Sequence, residues 1–506
     1  MVKTAVLNGI NGELVTVEVE ILRGLPSFVL VGLPEQSVRE SKERVRSAII
    51  NSGFQFPLGR IIINLSPSNI KKGGTLLDLP IALAILSKSN QISKKNIDKF
   101  LAFGELSLTG EIREVPGALS IVTSGVKRGI YKFIVPNKNC KEAALVKEGE
   151  IFGFSTLKEV TNFLYMNNKE PFKEEIFYED EVSDMDFSEL ENGESIIRAI
   201  EIAIGGKHNF LLWGAPGSGK TMVAERIKTV LPRLTYEEAV EVTRIHSSLS
   251  GVTGVKRYPP FREPHCTATL TSIIGGTSKN LPGEVTLAHN GVLYFDELLE
   301  FSPKVIEALR IPLESKKVIL TKGTKRTELP SDFIFISSMN PCPCGFFNTG
   351  ERMCTCGEAE IKRYLHKISG PILDRMDMFI QCRNKSGIKS SYRKTSEEIK
   401  EKIQEIRYIQ EERKKKFNGK NECEDLIELC KLSSELQEFL NNFAMDKDIS
   451  YRGKNKILKL ARTISDYKRK TDVGKDELIE AINYRRFISG DVIWIMINYI
   501  KFGFHL

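Results

Sequence analysis

No stretch of the sequence approaches the roughly 18 uncharged apolar residues of a transmembrane helix, so no membrane partner is expected. The opening segment MVKTAVLNGINGELVTVEVE lacks an uninterrupted apolar core and gains acids early, so it does not read as a signal peptide. Cysteine is sparse: nine thiols in 506 residues make no disulfide framework and read as reduced thiols or metal ligands. There is no internal repeat, and no low-complexity tract beyond one acidic run. With 41% hydrophobic and 27% charged residues, the expectation is a globular, cytoplasmic protein. At about 150 residues per domain, the length suggests about three domains.

Charge of one sign is also lacking over most of the chain. Residues 1–380 hold 46 Lys/Arg and 45 Asp/Glu, whereas residues 381–506 hold 27 and 20, which places most of the +8 at the C-terminal end. A basic end favours polyanions, but +7 spread over that length equally describes a solvated surface. Between Glu174 and Glu194 there are ten acids and no Lys or Arg, which reads as a solvated linker.

Four regions follow from the patterning. In residues 1–165, β-branched runs such as VTVEVEIL and RIIINLSP alternate with helical patterns, giving an α+β unit. Residues 166–194 are the acidic linker. Residues 195–390 carry three apolar strand candidates, FLLW, VLYF and FIFISSM, in an α/β unit with a buried parallel sheet. Residues 391–506 hold helical patterns only and read as an α-helical lid.

The chemistry starts where FLLW ends. Gly214, Ala215, Pro216, Gly217, Ser218, Gly219, Lys220 and Thr221 spell G-x-x-x-x-G-K-T between a strand and the helix former run TMVAERIKTVL. Glycines let successive backbone N–H groups converge on phosphate oxygens, and the helix that follows presents its positive end. Lys220 would neutralise the β- and γ-phosphates of ATP, and Thr221 would offer its hydroxyl to Mg²⁺. Asp296 and Glu297 end VLYF; the first can hold Mg²⁺ and the second can polarise a water. Asn340 closes the third strand, where its amide could orient water or phosphate, or could simply begin a turn before Pro341.

The stretches EVTLAHNGVLYFDELLEFSPKVIEALRIPLE, SSMNPCPCGFFNTG and ISGPILDRMD, with GLPSFVLVGLPEQSVRESKERVRSAIINSGFQFP before them and SYRGKNKILKLARTISD after, resemble the Mg-chelatase-like AAA+ ATPases of the YifB/ComM type. The resemblance runs collinearly over almost the whole chain. It implies a Lon-protease-like first domain, an AAA+ core and a helical lid, assembled as a hexamer. It also implies ATP-driven branch migration of DNA, as in natural transformation. Carried over residue by residue, it assigns phosphates and Mg²⁺ to Lys220 and Thr221, Mg²⁺ and water to Asp296 and Glu297, and sensor 1 to Asn340. Arg375 takes the arginine finger that reaches a neighbour's γ-phosphate, and Arg452 takes sensor 2. Without the resemblance, Arg375 reads as an ion-pair partner of Asp374 or Asp377, and Arg452 as one basic residue among many.

Cys342, Cys344, Cys354 and Cys356 form two C-x-C pairs nine residues apart. Two readings stay open: a tetrahedral structural Zn²⁺ site, or free and redox-active thiols. Residues 314–328 read as a hairpin turning near Lys322-Gly323, with Lys316, Lys317, Lys322, Lys325 and Arg326 against two acids. In a ring, Lys322, Lys325 and Arg326 would track a phosphate backbone without reading sequence; outside one, this is a solvated hairpin. A second insertion around SIIGGTSKNLPGEV carries Lys279. Where the family commonly shows paired histidines, Cys266 follows His265, so no metal is assigned there.

The protease-like first domain aligns Leu76 and Ser120 with the nucleophile and lysine of a Ser-Lys dyad, and neither can serve. Thr75 with Lys72 is the residual pair. The reading is therefore a Mg²⁺-dependent ATPase moving on branched or single-stranded DNA. The alternative is a chelatase- or MoxR-like ATPase remodelling a protein partner.

Overall fold

The computed structural model describes residues 1–166, 168–173, 178–179, 184–190, 193–249, 254–276, 281–322, 325–347, 349–350, 352–383, 393–414, 417–420, 426–447 and 449–485. They form two compact units, the first of residues 1–180, 235–257 and 276–282, the second of residues 181–234, 258–275 and 283–506. This division differs from the sequence boundaries in two ways. Two segments of the expected 195–390 core group with the first unit, and the helices after residue 393 group with the sheet of the second.

The first unit is built on a seven-stranded mixed sheet. Its strands are β1 (Val2–Asn8), β2 (Asn11–Leu22), β3 (Ser27–Val31), β4 (Arg60–Ser66), β5 (Leu101–Ala102), β6 (Lys132–Pro136) and β7 (Glu150–Phe154), in the order β3-β4-β2-β1-β5-β6-β7. β1, β2 and β4 pair antiparallel; the other neighbours are parallel. Helix α1 (Asp78–Lys88) is apolar all round, and every residue from Asp78 to Leu86 is buried. The one charge in that run, Asp78, is held by Arg44 at 2.7 Å. The residual Thr75/Lys72 pair is otherwise engaged. The Thr75 hydroxyl donates to Glu105, the fully buried Lys72 gives its Nζ to the Pro67 carbonyl, and Ser120 Oγ donates to Ile10 O at 2.8 Å.

The second unit carries a five-stranded, all-parallel sheet of β8 (Phe210–Trp213), β9 (Phe261–Arg262), β10 (Val292–Phe295), β11 (Ile334–Met339) and β12 (Met378–Gln381), in the order β9-β10-β11-β8-β12. The three apolar runs seen in the sequence are its three central strands, and Phe210–Trp213 and Val292–Phe295 are buried throughout. β9 and β12 were not foreseen: one is two residues long, and the other follows a short turn after Arg375. The register sets Trp213 beside Met339 and Phe295 beside Ser337, so the C-terminal ends of β8, β10 and β11 lie together.

Helices cover this sheet and share one core with it. α2 (Glu194–Gly205) packs on α4 (Ser396–Lys414), which also meets α3 (Lys220–Val230). Ile399, Ile403 and Ile406, at helical spacing on α4, are fully buried. α5 (Tyr451–Tyr467) packs on α6 (Lys475–Tyr484). Phe210, Ile336 and Met378 of the sheet lie in the same apolar cluster as Ile399, Leu460 and Leu478 of the helices. That shared core is why the expected lid groups with the sheet in one unit. Among the described residues no helix is long and apolar enough to cross a membrane.

Candidate nucleotide site and cysteine cluster

The loop after β8 turns through Gly217 and Gly219, whose φ values of +76° and +82° lie in the left-handed region that glycine alone adopts without strain. Above both residues the space is open, while at Gly214 a Cβ would run into the carbonyl of Cys382 at the end of β12. Glycine is thus required at Gly214 for close approach and at the other two for the turn. Ala215 is buried, and Pro216 and Gly217 are exposed on the loop's crest. The Ser218 hydroxyl oxygen is buried without a hydrogen-bond partner. Lys220 curls over the loop, its Nζ donating to Gly214 O at 2.9 Å and to Ala215 O at 2.8 Å.

Across from this loop, Thr221 Oγ1 donates to Asp296 Oδ2 at 3.2 Å, although the two are 75 residues apart. Asp296 is itself oriented: Tyr294 OH donates to its Oδ1 at 2.6 Å, and Ser338 Oγ donates to the same oxygen. Burial, reinforced by Asp296, pushes the Tyr294 phenol far up, so it remains a donor. Sequence reasoning missed both of these supports. Ser338 is one of two serines inside an apolar strand, an unusual residue to bury, and that was the available signal. Burial also lifts the Glu263 carboxyl above its ordinary range, with Asp296 reinforcing and Lys228 opposing.

Glu297 adopts φ +50°, ψ +56°, and its N–H donates to Ser338 Oγ at 2.9 Å. The left-handed turn leaves Glu297 exposed where its strand neighbours Val292–Phe295 are buried. It lines a cavity of ≈ 590 Å³ with Asn340, Pro343, Glu360, Arg363, Tyr364 and Lys367 among its walls. The residues present fit a triphosphate with a divalent cation: a glycine cradle with a buried unpartnered hydroxyl, a lysine folded onto it, and a hydroxyl–carboxylate pair beside it.

The two arginines assigned by resemblance meet elsewhere. Arg375 is only 7% exposed; it pairs with Glu314 and donates to Pro371 O at 2.6 Å and to Arg310 O at 3.3 Å. Arg452 Nη2 donates to the other oxygen of Glu314 at 2.8 Å. The hydrogen bond from Arg375, with Arg452 adding to it, holds the Glu314 carboxyl below its ordinary range. The alternative partners of Arg375, Asp374 and Asp377, are therefore corrected to Glu314. Asp377 is committed to Lys456 at 2.7 Å and to the Asn209 N–H at 3.0 Å.

Cys342, Cys344, Cys354 and Cys356 converge, their sulfur atoms all lying within 4.8 Å of one another. None is in a disulfide. His265 Nδ1 lies 2.8 Å from Thr267 Oγ1 and 4.0 Å from Cys266 Sγ.

The basic hairpin is a two-stranded ladder of Lys317–Lys322 and Lys325–Pro330, with Lys322 opposite Lys325 at its tip. Its turn residues 323–324, the side chains of Lys322 and Lys325, and Lys279 of the second insertion lie outside the described residues. Arg326 is 61% exposed and pairs with Glu328 at 3.3 Å, as Lys317 does at 3.5 Å.

Comparison with known families covers most of the chain. Residues 186–389 match the family described as magnesium chelatase, subunit ChlI; residues 17–139 match subunit ChlI of Mg-chelatase, and residues 393–485 match its C-terminal family. The chain is 37% identical over 494 residues to protein YifB of Salmonella typhimurium, covering 96% of each. It is 36% identical over 491 residues to the competence protein ComM of Haemophilus influenzae, covering 95% of this chain and 96% of that one. A partial likeness, 25% over 177 residues, extends to the Lon protease of Rhizobium meliloti, covering 32% of this chain and 22% of that one.

Proposed function

The chain belongs to the YifB/ComM family of magnesium-chelatase-like proteins, and on that premise we propose that it is a cytoplasmic, Mg²⁺-dependent AAA+ ATPase that assembles as a ring, a hexamer by family resemblance, and couples ATP hydrolysis to movement on DNA. The observation that carries the nucleotide reading is the contact of Thr221 with Asp296 beside the phosphate loop, with exposed Glu297 next in sequence.

In this reading the N–H groups of Ala215 and of Gly217 to Thr221, with the N-terminus of α3, hold the phosphates, and Lys220 leaves its loop carbonyls to neutralise them. Mg²⁺ bound by Thr221 and Asp296 would spread the charge of the transferring phosphoryl group. Tyr294 and Ser338 keep Asp296 in place. Glu297 orients the attacking water and accepts its proton, and Asn340, across the cavity, helps to place it. Arg375 serves a neighbouring subunit's γ-phosphate, for which it must release Glu314. Ring assembly then exchanges one anion for another, and an isolated subunit hydrolyses ATP poorly. Arg452, on the other oxygen of Glu314, relays the nucleotide state to the C-terminal helices.

Two features favour DNA as the track. The Haemophilus relative is a competence protein. The hairpin from Lys317 to Pro330 sets Lys322, Lys325 and Arg326 at one tip, where they would follow a phosphate backbone. The second reading, an ATPase remodelling a protein partner, is favoured by the match to a chelatase subunit.

The test is ATPase rate against protein concentration, with and without single-stranded and branched DNA. A cooperative rise with concentration and a further rise with DNA is the expected result. Concentration dependence with no response to DNA would leave the ring and shift the reading to a protein client. No ATP turnover under any condition would remove the motor altogether.

A further inference from the structure

We propose that Cys342, Cys344, Cys354 and Cys356 bind one structural Zn²⁺, and that this ion is the clip that holds the loop between β11 and the helix Glu358–Leu365 against the phosphate loop. Three of the six sulfur–sulfur separations are close to those a single tetrahedral ion sets, and the fourth sulfur lies within 4.8 Å of the others. With Zn–S bonds of about 2.3 Å, the edge of a sulfur tetrahedron is about 3.8 Å. The Cys342–Cys344, Cys342–Cys354 and Cys344–Cys354 sulfur pairs stand 3.3, 3.7 and 3.5 Å apart, too far for disulfides and close to that edge. A polynuclear iron–sulfur cluster would spread its cysteines over several irons and so further apart.

Backbone amides complete the site. Cys344 N–H points at Cys356 Sγ at 3.3 Å and Phe347 N–H at Cys342 Sγ at 3.3 Å, the hydrogen bonds that orient and stabilise bound thiolates. The Cys342 side of the site makes a tight turn, Gly345 N–H donating to Cys342 O at 3.0 Å with Gly345 at φ +83°. All four positions are protein sulfur, so the ion has no open site for a substrate and its role is structural. On loading, four S–H bonds give way to four Zn–S bonds, and the four protons pass to solvent; no oxidant or reductant is involved.

The position of the site gives the ion its consequence. The cysteine loop begins two residues after Asn340 and ends at Gly357, which starts the helix bearing Glu360, Arg363 and Tyr364 of the cavity. At the Cys342–Gly345 turn, a Cβ on Gly345 would strike the ring of Pro216 in the phosphate loop. The ion therefore ties together Asn340, the far cavity wall and the crest of the phosphate loop. This coupling rests on the nucleotide reading above; the metal site does not.

The experiment takes the full chain, purified under reducing conditions without chelators from zinc-supplemented cells. Metal is measured by mass spectrometry, and Co²⁺ is then exchanged in. One zinc per chain and the thiolate-to-cobalt charge-transfer bands of tetrahedral sulfur coordination are expected. Cys344→Ser with Cys356→Ser should lose both signals, while Cys140→Ser, in the first unit, keeps them. Protein that carries no zinc and gives no such Co²⁺ spectrum would overturn the site even if the double variant fails to fold, because that readout is made on the unaltered chain. Extracting the ion should raise the dissociation constant for ATP. Zinc present with ATP affinity indifferent to its removal would overturn the clip, and zinc present with no ATP binding at all would instead count against the nucleotide reading.

Discussion

Arg375 and Arg452, 77 residues apart, are held together by the two carboxylate oxygens of Glu314, one guanidinium buried and the other half in water. Glu314 lies in the last turn of the short helix Arg310–Ser315, immediately before the basic hairpin. One carboxylate thus joins the base of a hairpin to both arginines to which resemblance assigns work on nucleotide.

Replacing Glu314 with Gln should destabilise the chain by about 1–3 kcal/mol, because it strips a buried guanidinium of its countercharge while water still reaches the site. Arg452→Ala should cost under about 1 kcal/mol, since that side chain is 54% exposed. Urea unfolding of the two variants measures both; equal costs would mean that Arg375 draws nothing from the pair.

Lys220→Ala should abolish binding of a fluorescent ATP analogue. Glu297→Gln should retain binding and lose turnover, by roughly 10²–10⁴-fold if it acts as general base. Retained tight binding by the lysine variant would move the nucleotide away from this loop. Undiminished turnover by the glutamate variant would give the water to another residue.

Arg375→Ala should leave ATP binding within range of the parent while turnover in the assembled state collapses. Mixing it with Glu297→Gln protein separates its role from mere stability. If Arg375 acts on a neighbour, mixed assemblies regain some turnover at interfaces that pair an intact Arg375 with an intact Glu297. Turnover that stays normal in Arg375→Ala would place the finger elsewhere.

Neutralising Lys322, Lys325 and Arg326 together should flatten the salt dependence of DNA binding, the log–log slope falling by roughly 0.7 for each single-strand phosphate that is no longer neutralised. An unchanged slope would take the DNA path off this hairpin.

Acid should weaken the C-terminal helices through Glu477. Burial opposes its ionisation, but hydrogen bonds from Lys468 at 2.7 Å and Lys470 at 2.9 Å win and hold the carboxyl at about 2. A depressed folded pKa contributes stability above the unfolded value of about 4.3, and that contribution disappears as pH falls toward 2. The parent chain should therefore lose up to about 3 kcal/mol across that window that Glu477→Gln does not lose. Parallel acid-stability curves for the two proteins would contradict this.

Much of the second unit was legible because its signals are local. A phosphate loop needs glycines at set spacing between a strand and a helix, and a fully buried parallel strand needs an unbroken apolar run. Those requirements alone marked out the strands Phe210–Trp213 and Val292–Phe295, and singled out Gly214–Thr221, Asp296 and Glu297 as the candidates that follow them. Two C-x-C pairs likewise raised a four-sulfur site as one of two readings, and the structure brings the four sulfurs together. What remained hidden were partners chosen across long sequence separations. No local pattern ties Glu314 to Arg375 and Arg452, Ser338 to Asp296, or Gly345 to Pro216, because each pairing exists only once the folded chain has brought residues distant in sequence together. The same holds for the C-terminal helices. Amphipathic spacing at Ile399, Ile403 and Ile406 says that a face is buried, but only the folded chain decides that the face is buried against the helices of the parallel sheet. Local chemistry is written in residue types and their spacing; the neighbours that tune it are selected by packing.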